Sequence, residues 1–583
     1  MDKEQEKNVS SDSKTAENKE GVDADVLFTE FRESSVADFF KKNRQMLGLY
    51  GKQRTLTTII HEIVTNSLDA CEEAGILPDI EVKVSEIGKE YYEIYVKDNG
   101  PGIPENKIGS ALGKLLAGTK FHRLVQTRGQ QGIGVSGIIL FSQITTGKPS
   151  KVISGTNNGK TFSLEISIDS KTNSSKIANK HYLDKHYRGL AIKSKFKEII
   201  YKKGQNSVDE YLRRTAISNP HANIKFEDPF GEATIYTRTV KKLPKIPQSV
   251  KPHPRGVTVD EMLTFARHSS TRKVSSYLTG TYDRFGQSAV NNVSKLVHFD
   301  LNKDPRKLTW DEAEEIVDAI KQTKFIAPNT DNLVPIGDLQ IEKSLKSIVE
   351  PEFLAVNTRK PAVYHGGYAF QIEAGIAYGG NAGRSVVRSN SKSEDGERET
   401  RVSEIIRYSN KAPLLFDAGG CVITKTAQSV DWKRYGISNF DNAPITVFLN
   451  LISVHIPYTS AGKSAIADEE EIVNEIKLAL MEVARRVGVY IIQKKKDAER
   501  QEKRRVFSKY VPYIAEALSS ASGCSKENLE KNLLKMVLER LKLDDEQNGF
   551  NENKTLKSKL KKDSSKAIVE EAEEFDKENI DEE

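Results

Sequence analysis

The ten residues His61–Ala70, HEIVTNSLDA, constrain this chain more than any other stretch. Glu62 and Asn66 stand four residues apart and Asp69 three further on, a spacing that puts all three on one face of an α-helix. Ile59, Ile60, Ile63, Leu68 and Cys71 give the same helix an apolar face to bury. Two glycine-rich segments follow. The run YYEIYVKDNGPGI alternates as a strand from Tyr91 to Val96, then turns at Asp98-Asn99-Gly100-Pro101-Gly102. The run TRGQQGIGVSG carries Gly129, Gly132, Gly134 and Gly137. A polar helix face, an Asp-Asn-Gly-Pro-Gly turn and a Gly-rich lid, in that order, read as a nucleotide site.

A lone helix glutamate is more often solvated surface than catalyst. Read with its neighbours, Glu62 is suited to orient and deprotonate water attacking a γ-phosphate. Asn66 would offer its amide oxygen to Mg²⁺, a hard cation that prefers oxygen. Asp98 is either an ordinary turn aspartate or an acceptor for the exocyclic amine of adenine. Gly100 and Gly102 would let the backbone approach the flat base. Competing motifs fail on spacing. HEIVT has Thr65 where a zinc helix needs its second histidine. The lid reads G-x-x-G-x-G, not the dinucleotide G-x-G-x-x-G, although N–H groups at a helix start from Val135 suit phosphates. GTNNGKT at 155–161 is one residue short of a P-loop, and TSAGKSA at 459–465 has Pro457 in place of the leading glycine. Lys463 is therefore not a P-loop lysine.

At about 100–200 residues per domain, a chain of 583 residues holds several. The formal net charge of +6 permits a nucleic-acid face without requiring one. Cys71, Cys421 and Cys524 have neither metal nor disulfide spacing. The polar N-terminus lacks an apolar h-region, and Gly132–Phe141 is too short to span a bilayer, so a cytoplasmic protein with no membrane segment is expected. Residues 1–25 are expected to be disordered, with a strand or arm from Asp25 and an amphipathic helix behind it.

Helix Thr55–Ala74 (capped at Gly75), strands Ile80–Ser85 and Tyr91–Val96, helix Ile108–Leu116, further strands and helix Val208–Ser218 make an α/β domain ending near residue 238. Its helices are expected on one face of a mixed sheet. The linker KKLPKIPQSVKPHPRG marks a boundary. Beyond it Thr258–Arg267, Val274–Thr279, Gln287–Lys295 and Trp310–Gln322 read as helices, with Arg267, His268, Arg272 and Lys273 in one loop. From about residue 328 strands return at Ala362–Tyr364, Phe370–Tyr378, Glu404–Asn410 and Val447–Ser453. A helix from Ala467 continues into the basic run IIQKKKDAERQEKRRVF; Asn528–Leu543 is helical, and the charge-segregated tail is expected to be disordered.

HEIVTNSLDA, DNGPG and GQQGIGVSG resemble the N-box, G1 box and lid of the GHKL ATPases. LLAGTKFHRLVQTRGQQGIGVSG and PYTSAGKSAIAD narrow the resemblance to the B subunits of archaeal type IIB DNA topoisomerases, the topoisomerase VI family, over roughly residues 26 to 510. The resemblance implies a GHKL (Bergerat) ATPase domain, a left-handed βαβ sandwich, at 26–238 and a helix-two-turns-helix domain at 239–325. It implies a ribosomal S5-like transducer domain at 326–490, a basic long helix and helical region at 491–545, and a charged tail at 546–583. ATP and Mg²⁺ are the cofactors it implies, with Glu62 as catalytic base, Asn66 as Mg²⁺ ligand, and Asp98, Gly100 and Gly102 at the adenine. Thr119, Lys120, Gly129, Gln130, Gln131, Gly132, Ile133, Gly134, Val135 and Ser136 would line the triphosphate, and Lys463 would be the switch lysine that reaches the γ-phosphate from the transducer.

The same resemblance implies dimerisation on ATP and a separate A subunit that carries the strand-breaking tyrosine. Together they would form a heterotetramer of two A and two B subunits through which double-stranded DNA passes. A chaperone or mismatch-repair clamp on the same ATPase is disfavoured by the helical insert. A sensor kinase is disfavoured because no histidine precedes His61. An accessory factor without turnover is disfavoured by the intact Glu62, Asn66 and Asp98.

Overall fold

Apolar residues at Ile80, Val82 and Val84 and at Tyr92, Ile94 and Val96 alternate with polar ones, which gives each strand one buried face. These strands, β1 (Asp79–Gly88) and β2 (Tyr91–Lys97), pair antiparallel in the computed structural model. It describes residues 35–118, 125–129, 132–388, 398–460, 462–537 and 539. The expectations for the N-terminal 25 residues, the arm from Asp25 and the charged tail lie outside the described residues. So do Thr119, Lys120, Gln130 and Gln131.

β3 (Ser150–Gly155), β4 (Phe162–Asp169), β5 (Ser174–Tyr182), β6 (Gly189–Lys197), β7 (Asn223–Glu227) and β8 (Ala233–Tyr236) complete an eight-stranded sheet in the order β5-β4-β3-β6-β2-β1-β7-β8. Only β1 and β7 run parallel among these neighbours. α1 (Val36–Lys42), α2 (Lys52–Glu73), α3 (Ile108–Leu112), α4 (Gly134–Thr146) and α5 (Val208–Ser218) accompany it. Ile59, Ile60, Val64 and Leu68 of α2, Ile138 and Phe141 of α4, and Tyr211 and Leu212 of α5 share one core with the buried face of β1, β2, β6 and β7. Burial of each such side chain contributes about 1.5–3 kcal/mol. α3 is shorter than its apolar pattern suggests. It stops at Gly113, where a β-carbon would lie 2.4 Å from the Ser175 side chain, so β5 packs where a further helical turn would run.

The helical segment beyond the linker consists of α6 (Val259–Arg267), α7 (Val274–Thr281), α8 (Gln287–Leu296) and α9 (Trp310–Gln322). Two Thr-x-x-Glu capping boxes, Thr258 with Glu261 and Thr309 with Glu312, start α6 and α9 by satisfying N–H groups at each helix end. Met262, Tyr277, Val293 and Ile316 belong to a core separate from that of the first sheet.

α10 (Asp338–Val349) leads into the second half. β9 (Phe353–Thr358), β10 (Ala362–Tyr364) and β11 (Tyr368–Tyr378) precede a two-stranded ribbon, β12 (Arg384–Arg388) and β13 (Arg398–Val402). β14 (Glu404–Ser409), β15 (Ala412–Pro413), α11 (Val422–Ser429) and β16 (Ile445–Ser453) follow. The six-stranded sheet runs β10-β11-β16-β14-β15, with β9 also on β11; β14 and β16 are parallel. β16 is buried along its whole length, as befits a central strand. α12 (Glu470–Ser522) is one helix of 53 residues. Ile472, Ile476, Leu480, Val483 and Val487 root it in the core of this sheet, and residues 526–537 form a further helix.

Candidate nucleotide site

α2, the β2–α3 turn, the start of α4 and a loop ahead of α12 enclose one cavity of about 740 Å³. Glu62, Asn66, Asp98, Gly102, Gly129, Gly132, Ile133, Gly134, Val135, Ser136 and Lys463 all face it. Gly100 is not on its wall; the Gly100 N–H donates to Asp98 Oδ1 at 2.9 Å. Asp69 departs from the shared-face expectation. Ala70 and Glu73 continue the cavity-facing side of α2, whereas the buried Asp69 carboxylate pairs with the Arg128 guanidinium at 2.6 Å.

The polar groups are oriented by contacts within the chain. Asn66 Nδ2 donates to the Glu62 carbonyl at 2.8 Å. Only the amide nitrogen can donate there, so the hydrogen bond assigns the amide orientation and leaves Oδ1 available as an acceptor. A β-carbon on Gly129 would sit 3.7 Å from that oxygen, so the lid's first glycine abuts it. A β-carbon on Gly134 would lie 2.1 Å from Glu62 Oε2. Glycine at this position admits the carboxylate to the N-terminus of α4, where the helix dipole favours negative charge.

Asp98 is buried and accepts from Ser67 Oγ at 2.7 Å, Gly100 N at 2.9 Å and Leu190 N at 3.1 Å. Burial pushes its carboxyl pKa up, against the pull of those three hydrogen bonds. A carboxylate offers about four acceptor positions, so roughly one remains for a donor in the cavity. Gly102 has φ +69°, and a β-carbon there would lie 2.2 Å from the Gly155 carbonyl. Gly102→Ala is therefore expected to cost more than the ~1–2 kcal/mol of a left-handed non-glycine residue. Thermal melting and adenine-nucleotide binding should fall together; a variant unchanged in both would refute the close-packed turn.

Lys463 comes from the other half of the chain, on a turn at φ +51° whose N–H donates to Ser460 O at 3.1 Å. Gly462, Lys463 and Ser464, with Pro413–Phe416, line the same cavity as Asn66 and Glu62. The lysine's charge reaches His61. Burial lowers the pKa of His61, Lys463 lowers it further, and Glu62 acts in the opposite direction.

The root of the lid holds residues that motif reading passed over. Arg128 donates to Asp69 and, at 2.6 Å and 3.2 Å, to Glu72, and also to Asn219 Oδ1. Burial alone would raise the Glu72 carboxyl, but Arg128 holds it well below the usual range, helped by Lys411 and His221. Gln126 exchanges two hydrogen bonds with the Val334 backbone, at 2.6 Å and 3.2 Å, and Asn410 Nδ2 donates to the Thr127 carbonyl at 3.2 Å. The lid is thus tied to α2 on one side and to the second half of the chain on the other. Arg128 stands inside TRGQQG, where a charge beside glycine is its only signal.

Residues 51–170 match the family described as histidine kinase-, DNA gyrase B- and HSP90-like ATPases, which carries nucleotide binding with it, and residues 328–503 match the topoisomerase VI B subunit transducer. The B subunit of type 2 DNA topoisomerase 6 from Pyrococcus horikoshii is 43% identical over 571 residues, covering 90% of this chain and 98% of that protein. Its counterpart from Methanothermobacter thermautotrophicus is 44% identical over 522 residues, 89% of this chain and 97% of that protein. A GHKL-type ATPase segment joined to a topoisomerase VI transducer, at this identity and coverage, means that the chain belongs to the family of type 2 DNA topoisomerase 6 B subunits.

Proposed function

We propose that this chain binds and hydrolyses ATP as the gate-operating subunit of a heterotetrameric type IIB DNA topoisomerase, while a separate A subunit cuts the DNA. The observation that carries this reading is the composite cavity, in which Glu62, Asn66 and Asp98 face Lys463 from the opposite half of the chain. The reading divides the chain into an ATPase domain at 26–238, a helical domain at 239–325 and a transducer at 326–490.

In this mechanism Asp98 accepts from the adenine amine with its remaining lone pair, and Gly102 keeps the turn close to the base. Glu62 takes the proton of the attacking water, and its position against Gly134 holds that water near the lid. Lid N–H groups from Gly132 to Ser136 at the start of α4 receive the phosphates. Asn66 suits Mg²⁺ through its oriented Oδ1. Mg²⁺ keeps several of its waters, so its other oxygens would come from the nucleotide and from water. When bound, Mg²⁺ would neutralise charge on the triphosphate. Lys463 reads the γ-phosphate, the one group that distinguishes ATP from ADP, and biases the relative position of the two halves.

Two such chains meeting on ATP would form the gate for a passing duplex. The exposed Val489, Ile492, Phe507, Tyr510 and Tyr513 along the distal part of α12 support a docking face for the A subunit. Among the described residues no helix is long and apolar enough to cross a membrane.

Light scattering with and without a non-hydrolysable ATP analogue and Mg²⁺ tests the gate. The expected result is monomer becoming dimer with the analogue but not with ADP. Lys463→Ala should bind ADP normally and fail to dimerise. A wild-type mass unmoved by the analogue would overturn the gate and favour an accessory ATPase or clamp without strand passage.

A further inference from the structure

We infer that Arg54, Asp417 and Ser464 are positioning residues that hold the Lys463 turn in register with α2; the inference rests on the γ-phosphate role proposed for Lys463. The three come from distant parts of the sequence. Arg54 lies in the first turn of α2, two turns ahead of Glu62. Asp417 follows β15, and Ser464 is the residue after Lys463.

The guanidinium of Arg54 is held by two aromatic rings and through its two terminal nitrogens, while its Nε is buried without a hydrogen bond. Tyr50 and Phe416 stack on it with ring centroids at 4.1 Å and 4.4 Å. Its two terminal nitrogens fork the Asp417 carboxylate at 3.0 Å each, and one also donates to Ser464 Oγ at 3.3 Å. Ser464 Oγ in turn donates to Asp417 Oδ2. An ordinary exposed ion pair contributes little and leaves both side chains loose. Here the fork fixes the plane of the carboxylate and the stacking fixes the plane of the guanidinium.

Backbone conformation points the same way. Asp417 has φ +54° and Lys463 φ +51°, both left-handed at non-glycine residues. Such conformations are disfavoured for residues with a β-carbon and persist where surrounding contacts over-determine them. The Ser464 hydroxyl supplies that contact for the turn. Thr459 N donates to the Ala465 carbonyl at 3.0 Å and closes the turn behind it. A β-carbon on Gly462 would lie 3.9 Å from Gly48 Cα, so the turn rests against the segment that leads into α2. Phe416, Lys463 and Ser464 all face the nucleotide cavity. Displacement of Lys463 by a γ-phosphate would therefore pull on Ser464, and through Asp417 on both α2 and the strand that ends at Pro413.

The test measures ADP affinity, affinity for a non-hydrolysable ATP analogue, and kcat with KM, in Asp417→Ala, Ser464→Ala, Lys463→Ala and the double variant Asp417→Ala/Lys463→Ala. For Asp417→Ala we expect ADP affinity within about twofold of wild type, and an analogue-over-ADP preference and kcat each lower by about tenfold. Ser464→Ala should show a smaller loss of the same kind. The double variant should be no worse than Lys463→Ala alone, the non-additivity of residues that act through one another. The reciprocal exchange Arg54→Asp with Asp417→Arg should recover part of the preference.

Equal losses of ADP and analogue affinity in Asp417→Ala and Ser464→Ala would overturn the inference, as would additive effects in the double variant. If Asp417→Ala fails to fold, Ser464→Ala decides by the same criteria. A Lys463→Ala variant with unchanged analogue preference would remove the γ-phosphate reading and this inference with it. Loss of preference in Lys463→Ala, with Asp417→Ala and Ser464→Ala both unaffected, would remove this inference alone.

Discussion

Glu62→Ala is expected to lower kcat by about 10²–10⁴-fold, the range for removing a positioned general base, while ADP and ATP-analogue affinities stay within a few-fold of wild type. The separation follows from where the contacts lie. Asp98 is held by Ser67, Gly100 and Leu190, and none of these contacts involves the Glu62 side chain, so it loses nothing when that side chain is cut back. Asn66 is oriented by the Glu62 main-chain carbonyl, which alanine retains. Glu62→Gln sharpens the test, because it keeps a hydrogen-bonding group of the same size against Gly134 but cannot take up a proton at neutral pH. Phosphate release under saturating ATP and equilibrium binding of a fluorescent nucleotide provide the two readouts. Turnover above a tenth of wild type in both variants would remove Glu62 from the role of base.

Arg128→Met is expected to destabilise the protein by about 3–5 kcal/mol, because it takes from the buried Asp69 and Glu72 the guanidinium that pairs with both. Three acceptors depend on Arg128: Asp69, Glu72 and Asn219. At roughly 2–4 °C per kcal/mol the melting transition should fall by about 10 °C. The pH dependence carries the signature of the cause. Glu72 has a folded pKa depressed below its ordinary 4.5, so its contribution is present above that pH and is lost as pH falls through the folded value. In the variant, acid also protonates the orphaned carboxylates. The stability gap between wild type and variant should therefore be widest near neutral pH and narrow on acidification to about pH 4. A gap independent of pH would point to lost packing instead.

How far the chain can be read in advance depends on whether a feature is local. α2, expected at Thr55–Ala74, spans Lys52–Glu73, because its apolar spacing is dense enough to dominate. The four helices after the linker are legible within a few residues, two of them begun by capping boxes visible as T-x-x-E. α12 is long and continuous, as its sequence implies. β5 is not legible. Its sequence SSKIANKHY is exposed almost throughout, and it is a strand because β4 offers it an edge. α11, β9 and the arginine-bearing ribbon β12–β13 escape the sequence reading because they are short, whereas α10, with Ile341, Leu345 and Val349 on a buried side, carries a helical period that the reading passes over.

At the cavity, Glu62, Asn66 and Asp98 belong to motifs close together in sequence, and only a family resemblance links them to Lys463. The Arg54–Asp417 fork spans 363 positions and has no local pattern to announce it. Asp69 has the right periodicity and a different partner, since spacing specifies a helix face but not what covers it.

α12 has a mechanical consequence. Its proximal part is held to the second sheet as far as Lys494, which pairs with Glu352, and the remaining 28 of its 53 residues run on from there. At about 1.5 Å per residue that projection is roughly 40 Å long. A tilt of about 5° at its embedded end would carry the far tip through about 3–4 Å, more than half a helical turn. A rearrangement too small to disturb core packing at the root would become, at the tip, large enough to break one set of side-chain contacts and make another.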